Sequence, residues 1–266
     1  MLNATLLRED IRNSRKSWIT CTAVLAAGLL LCAALYGSTA GEDLAAFLTV
    51  IPGMTGRLFS ETDTSLVWYL GKCLYGAVFL LIPCIYAAGV SVRTLAGPRE
   101  DGSFAMLFSM TGKRRDILFT HAYFLAVSLF AMILAACAVG LLAGVLLHGS
   151  ALEIPQYLLL NLDLYCCQMF LSGLCFALAG IIRGARRAKG ILAAWIAAFY
   201  LIFALGDING GLSVLGSFSV FSAFRPEAVL EGSPSLFWEL PLLLILGLLL
   251  YRVGMAVMEK TDLTGE

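Results

Sequence analysis

The side chains that could do chemistry are few and widely spaced along this chain. Histidine occurs only at His121 and His148, and the candidate polar cluster at membrane depth comprises Asp163 with Gln168 or His121. Neither the H-E-x-x-H motif of zinc hydrolases nor the G-x-S-x-G motif of serine hydrolases is present. We therefore expect no catalytic residue, no metal site and no cofactor. An integral membrane enzyme acting on lipid or peptide stays open as an alternative.

Nucleotide hydrolysis by a phosphate-binding loop is also excluded. The two Gly-Lys pairs, Gly71-Lys72 and Gly112-Lys113, lack both the preceding glycine and the following Ser or Thr of that motif. The chain alone therefore cannot hydrolyse ATP by this route.

Ionisable groups inside the apolar stretches are equally scarce. Lys72, His121, Asp163 and Arg252 lie near the predicted ends of these stretches, where side chains can extend to the membrane interface. Ion paths and proton relays use ionisable groups at membrane depth. Because no predicted span carries a carboxylate near its centre, the sequence disfavours a proton-coupled transporter or pump.

The elements that hold these residues must be dissolved in lipid. Of the 266 residues 60% are hydrophobic and 14% charged, and the mean hydropathy is +0.88, whereas soluble domains carry about 25% charged residues. The net charge is zero, which excludes a strongly basic nucleic-acid-binding protein. All eight cysteines lie in apolar stretches without a C-x-x-C pair, so we expect small buried helix residues rather than disulfides or metal ligands.

The apolar stretches predict an all-α fold, a single transmembrane domain over residues 1–266. A spanning helix needs about 20 mostly apolar residues. Six such stretches occur, at about 18–36, 67–92, 117–147, 158–182, 190–206 and 237–258. The segments 37–66 and 207–236 between them are long enough to hold short helices of their own.

Lysine and arginine predict the orientation. With six spans, fifteen of the eighteen fall on the side of the two termini and of the second and fourth loops. Positive loops stay in the cytoplasm, so both termini are expected there.

Small residues predict close helix contacts within the membrane. Gly140 and Gly144 form a G-x-x-x-G pair in the third span. Gly173 with Ala177 and Gly180 with Gly184 repeat that spacing in and after the fourth span. The sequence predicts close backbone approach at these positions.

The N-terminus has the pattern of an amphipathic helix. Leu7, Ile11, Ser14 and Trp18 share one face, and the opposite face is basic. Such a helix lies flat on the inner membrane surface before turning into the first span; a plain positive anchor is the alternative.

The loop after the second span has the pattern of a second short helix. Phe104, Leu107 and Phe108 follow i, i+3, i+4 spacing, and Gly112 can end the helix. A short apolar helix in a cytoplasmic loop fits a groove on another protein, although it could also lie on lipid.

These two features together resemble the membrane subunit of ABC-2 type transporters, six-span bacterial permeases that work with a separate ATPase. The permeases have a basic amphipathic N-terminal helix and, after the second span, a Glu, a nearby Gly, a short apolar helix and a small-residue turn with Arg. Glu100, Gly102, Phe104 to Phe108 and Arg114 match that layout, with Thr111-Gly112 in place of the frequent proline. The segment 218–232 also resembles the stretch before the family's last span.

The resemblance implies a permease subunit that forms the substrate path of an exporter in the bacterial cytoplasmic membrane. Its partners would be an ATP-binding subunit on a separate chain and a second permease copy or paralogue. The coupling residues would be Glu100, Gly102, Phe104, Leu107, Phe108 and Arg114. A non-transport membrane scaffold is a further alternative, and the sequence does not identify the cargo.

Overall fold

The protein is helical throughout the part of the chain that the computed structural model describes. It describes residues 3–50, 65–100, 114–149, 152–208, 219–224, 226–230, 232–234 and 236–261. This structure is 92% helical, and its described residues form no strand. Six of the described helices are long and apolar enough to cross a membrane. The predicted all-α class and the six predicted apolar helices are thereby confirmed.

The described helices are named in chain order. They are α1 (Ala4–Leu35), α2 (Thr39–Val50), α3 (Leu66–Leu70), α4 (Val78–Ser91), α5 (Gly97–Glu100), α6 (Arg114–His148), α7 (Ile154–Ile181), α8 (Ala185–Ile208), α9 (Pro226–Leu230) and α10 (Leu236–Thr261). One π-helical turn, Gly71–Tyr75, precedes α4, a second, Val92–Ala96, joins α4 to α5, and Val220–Ala223 form a 3₁₀ turn. The spanning helices are α1, α4 with α5, α6, α7, α8 and α10.

Hydrogen bonds show which helix ends lie together. At one end of the bundle, the Asn3 N–H donates to Thr120 Oγ1 at 3.1 Å, and Arg93 Nη1 donates to the Asn13 carbonyl at 2.6 Å. At the other end, His148 Nε2 lies 2.6 Å from the Ala33 carbonyl oxygen. We call the first the basic end, because most of the lysines and arginines lie there. The spanning helices alternate in direction, and the start of α1 and the end of α10 both lie at the basic end.

Burial separates a central pair of helices from a peripheral set. In the most apolar stretches, 67% of the α4–α5 span and 72% of α7 is buried, against 22% of α1 and 28% of α8 and of α10. On the periphery, large apolar side chains such as Leu146, Phe237 and Trp238 are at least 80% exposed. Such a surface requires an apolar solvent, so the fold is that of a multi-pass membrane protein.

Glycines hold α7 against α10. A Cβ placed on Gly173 would lie 2.7 Å from the Gly247 carbonyl oxygen, and one on Gly254 would lie 3.0 Å from the Ala177 Cα. The close approach predicted for Gly173 is therefore confirmed, and Gly180 likewise packs against α10. Gly184 lies beyond the end of α7 with open space around it, so its predicted helix contact is wrong.

A proline and a glutamine shape the second span together. Pro83 has no N–H, so the Phe79 carbonyl, four residues earlier, has no donor within its own helix. Gln168 of α7 supplies one, since its Nε2 lies 3.2 Å from the Phe79 oxygen and 2.9 Å from the Leu80 oxygen. The amide thereby fixes α4 against α7 at the centre of the bundle.

The first helix corrects the prediction for the N-terminus. The chain is helical without a break from Ala4 to Leu35, so the expected turn between a flat basic helix and the first span is absent. Asp10 and Ser14 are buried, while Ile11 is half exposed. The reason is packing: α1 runs along α6, where Asp10 meets His121 and Trp18 Nε1 donates to the Ser128 carbonyl.

The segments at the end opposite the basic end contain short helices, as predicted. Helix α2 follows the first span, and the 3₁₀ turn and α9 precede the last span. Phe221 and Phe224 are fully buried, and the ring of Phe221 meets Tyr200 edge-on at 5.9 Å. Ser219 Oγ donates to the Phe199 carbonyl at 2.7 Å. The 3₁₀ turn is therefore packed onto α8, whereas α9 packs against α7.

Candidate coupling site

The end of the second span is attached to the connection between α7 and α8. Arg99 Nη1 donates to the Gly180 carbonyl at 2.6 Å, and the Ala185 N–H donates to Glu100 Oε2 at 2.7 Å. We call these four residues the basic-end clamp. They bring together parts of the chain more than 80 residues apart in sequence.

The basic-end clamp pairs charged side chains with backbone groups at the ends of two helices. Gly180 is in the last turn of α7, where carbonyls have no partner in the helix, and Ala185 begins α8, where N–H groups have none. A guanidinium stabilises the negative end of α7, and a carboxylate stabilises the positive end of α8. Neighbouring residues Arg99 and Glu100 thus satisfy both ends of one tight turn.

The structure places the predicted coupling residues unevenly. Glu100 is the last residue of α5 and forms one half of the clamp. Arg114 begins α6 at the same end of the bundle. Gly102, Phe104, Leu107 and Phe108 lie outside the described residues, so the short helix predicted between Glu100 and Arg114 stays a prediction.

A buried pair of polar side chains, Asp10 and His121, joins α1 to α6 at the basic end. His121 Nδ1 lies 2.7 Å from Asp10 Oδ2, and the two side chains are 8% and 9% exposed. The expectation that His121 extends to the membrane interface is therefore wrong. Its side chain turns inward because α1 continues below the predicted start of the first span and presents a carboxylate. Asp10 and His121 are 111 residues apart in sequence, and no local motif marks the contact.

Asp163 also lies elsewhere than the sequence predicted. It is 3% exposed in the interior of α7, so it does not extend to the interface. It lies eighteen residues before the basic end of α7, about 27 Å along the axis, whereas His121 is seven residues from the start of α6, about 10 Å in. Gln168 binds backbone carbonyls of α4. The structure therefore does not bring His121 and Asp163 to one depth.

A second set of hydrogen-bonded polar groups lies buried in the interior of the bundle. Tyr75 Oη donates to Asn161 Oδ1 at 3.0 Å, and the Asn161 amide donates to the Tyr157 carbonyl at 2.8 Å. These groups satisfy one another, as buried polar atoms must. They fix Gly71–Tyr75, the π-helical turn before α4, against α7.

A groove between the second and fifth spans runs from the basic end towards the middle of the bundle. Its volume is about 550 Å³, within the range of about 300–1,000 Å³ typical of ligand pockets. Ile85 and Gly89 of α4 form one wall, and Lys189, Ile196 and Tyr200 of α8 lie along the other. We call it the α4–α8 groove. Apart from Lys189 at its basic end and Tyr200, its lining is apolar.

Comparison with known proteins adds no relative. No protein-family model matches the chain, and no curated protein matches its sequence. The candidate function therefore depends on the residues and geometry of this chain.

Proposed function

We propose that this chain is the permease subunit of a bacterial ABC-2 type exporter, which forms the substrate path and works with a separate ATPase subunit. The observation that supports it most is the basic-end clamp. The residue that precedes the predicted coupling helix, Glu100, is hydrogen-bonded to the start of α8, and α8 forms one wall of the α4–α8 groove.

This connection gives a route from an ATPase to the path. A force on the segment 104–108 would move Glu100 and Arg99, which are joined to it through the chain. The clamp would pass the movement to the turn between α7 and α8, and α8 would shift against α4. Movement of one wall against the other changes the width of the groove, which is what an exporter needs during alternating access.

The basic end faces the cytoplasm in this proposal, and the membrane is the bacterial cytoplasmic membrane. The excess of lysine and arginine at that end supports this orientation. A second permease copy or a paralogue completes the path, because the α4–α8 groove is open along the surface of one chain. A reporter fused to the carboxyl end should be active in the cytoplasm; activity on the outer side would contradict the orientation.

The test is whether the predicted coupling helix binds the ATPase. The chain carrying Phe104→Glu and Leu107→Glu is co-expressed with the ATPase subunit that co-purifies with the natural chain, and capture of that ATPase in mild detergent is measured. We expect binding to be lost, because two charges replace the apolar face that would enter the ATPase groove.

The matched control places the same two charges on the opposite face. At 100° per residue, Met106 and Ser109 lie away from Phe104 and Leu107 in a helix over this segment. The variant Met106→Glu with Ser109→Glu should capture the ATPase as the natural chain does. Unchanged capture by the first variant, or equal loss in both, would contradict the proposed coupling.

A further inference from the structure

A second groove lies between α1 and α6 near the basic end, on the other side of the second span. Its volume is about 630 Å³. Ile11 and Val127 form apolar walls, Trp18 and Tyr123 add aromatic rings, and Arg15 lies at its edge. We call it the α1–α6 groove. The face predicted from the sequence, Leu7 to Trp18, lines this groove instead of lying freely on the membrane.

The depth of the groove corresponds to a membrane interface. Helix α1 has 32 residues, so it is about 48 Å long, while the hydrocarbon layer is about 30 Å thick. Counted from the far end at Leu35, about twenty residues cross the hydrocarbon, which brings its near boundary to about Lys16. Arg15 and Trp18 therefore lie where lipid headgroups meet acyl chains, the level at which tryptophan and tyrosine concentrate.

One buried polar atom in this groove has no hydrogen-bond partner among the described residues. Tyr86 lines the groove from α4 and is 3% exposed, and its hydroxyl makes no hydrogen bond within the described part of the chain. The Ser128 side chain lies close to it, and because its hydroxyl donates to the Leu125 carbonyl at 2.9 Å, Ser128 has no proton left to donate to the Tyr86 oxygen. A buried hydroxyl without a partner is unfavourable, so the Tyr86 hydroxyl is suited to a ligand with oxygen acceptors.

The charge around the groove favours an anionic ligand. Arg15 is exposed at its edge. The acidic residues of this half of α1 are already engaged, since Glu9 pairs with Arg12 at 2.8 Å and Asp10 pairs with His121. Neither carboxylate therefore forms an ion pair with Arg15.

We propose that the α1–α6 groove binds an anionic phospholipid of the cytoplasmic leaflet. The phosphate pairs with Arg15, the Tyr86 hydroxyl donates to a phosphate or ester oxygen, and an acyl chain lies against Val127. This inference depends on the orientation proposed above and not on the ATPase. A lipid held here contacts α1, α4 and α6 together, and so stabilises their arrangement at the basic end.

The experiment titrates the delipidated protein in detergent with dioleoyl phosphatidylglycerol or dioleoyl phosphatidylcholine and counts bound lipid by native mass spectrometry. The natural chain should prefer phosphatidylglycerol. Arg15→Gln should weaken that lipid about five-fold and leave phosphatidylcholine unchanged, the effect of one basic residue at a membrane surface. Tyr86→Phe should weaken both lipids about five-fold, since it removes a hydrogen bond to oxygens that both carry.

The matched control is Arg8→Gln, which removes the same charge from the same helix outside the groove and should leave both affinities unchanged. Equal losses from Arg15→Gln and Arg8→Gln would overturn the site, because they would show general charge attraction only. A further variant, Val127→Trp, fills the groove and should reduce both lipids. If it leaves lipid binding intact and converts a dimer to a monomer, the groove holds a second copy and the proposal is wrong.

Discussion

Alanine at Gly247 tests the packing that fixes the fourth span against the sixth. A Cβ at this position would lie 2.8 Å from both the carbonyl carbon and the carbonyl oxygen of Met169, and 3.0 Å from the Phe170 nitrogen. All three are backbone atoms of α7, so no side-chain rotation can relieve the contact. The two helices must separate.

The geometry sets the size of the effect. Ordinary Cβ contacts begin at 3.4 Å, so the helices must move apart by about 0.6 Å at this point. Overpacking of this kind costs about 1–3 kcal/mol. For chains of 150–250 residues, each kcal/mol lowers the Tm by about 2–4 °C, and we expect a decrease of that order or more for Gly247→Ala.

The chain contains its own probe for the assay. Seven of its eight cysteines are buried and the eighth is half-buried, so a thiol-reactive dye in detergent reports unfolding as the sample is heated. Gly190→Ala is the matched control, since a Cβ there meets nothing within 4 Å. Alanine favours a helix over glycine by about 0.5–1 kcal/mol, so the control should be as stable as the natural chain or more so. A Gly247→Ala variant as stable as the control would refute the packing argument.

Three further predictions concern the polar contacts. Gln168→Leu should lower the Tm by several °C, since unsatisfied buried acceptors cost about 1–3 kcal/mol. Adding Pro83→Ala should restore part of the loss, because alanine supplies the missing N–H to the Phe79 carbonyl. If the Tm does not recover, the account of the second span is wrong. Asp10→Ala and His121→Ala should each lower the free energy of unfolding strongly, and the double variant should lose about 1–3 kcal/mol less than the two single losses added together. Additive losses would show that the two side chains are not coupled. Glu100→Ala should speed amide exchange in the first turn of α8 and leave the centre of α7 unchanged, because an exposed helix end loses its acceptor; equal exchange would show that the clamp is not formed in solution.

Composition and hydropathy predicted most of the architecture. A stretch of about 20 apolar residues has one stable arrangement in lipid, because all backbone groups must be satisfied within the helix. The six helices follow from this constraint alone. The ends are less well predicted: α1 begins at Ala4, fourteen residues before the predicted span, since its extension is stabilised by α6 and not by lipid.

The sequence did not predict which side chains of distant segments contact one another. Hydropathy does not distinguish a polar side chain at the interface from one turned into the bundle, so the burial of Asp163 and the partner of His121 were missed. For the contact between α7 and α10, the small residues were predicted on α7 alone. Its partners on α10, Gly247 and Gly254, are seven residues apart and do not form the G-x-x-x-G pattern.

The candidate site was predicted in part. A motif resemblance led to Glu100, and the structure gives that residue a contact with Ala185 that the resemblance did not include. Arg99 and Gly180 were missed, because a side chain that binds a carbonyl at the end of another helix leaves no spacing pattern in sequence.

The most direct measurement is purification of the tagged chain in mild detergent from cells that also express its neighbouring genes, with every bound subunit identified and ATP hydrolysis assayed. The account predicts an equimolar ATPase subunit that carries a phosphate-binding loop, with hydrolysis eluting together with the chain. An intact, folded chain that elutes without any ATP-hydrolysing subunit would contradict the assignment as an ABC permease.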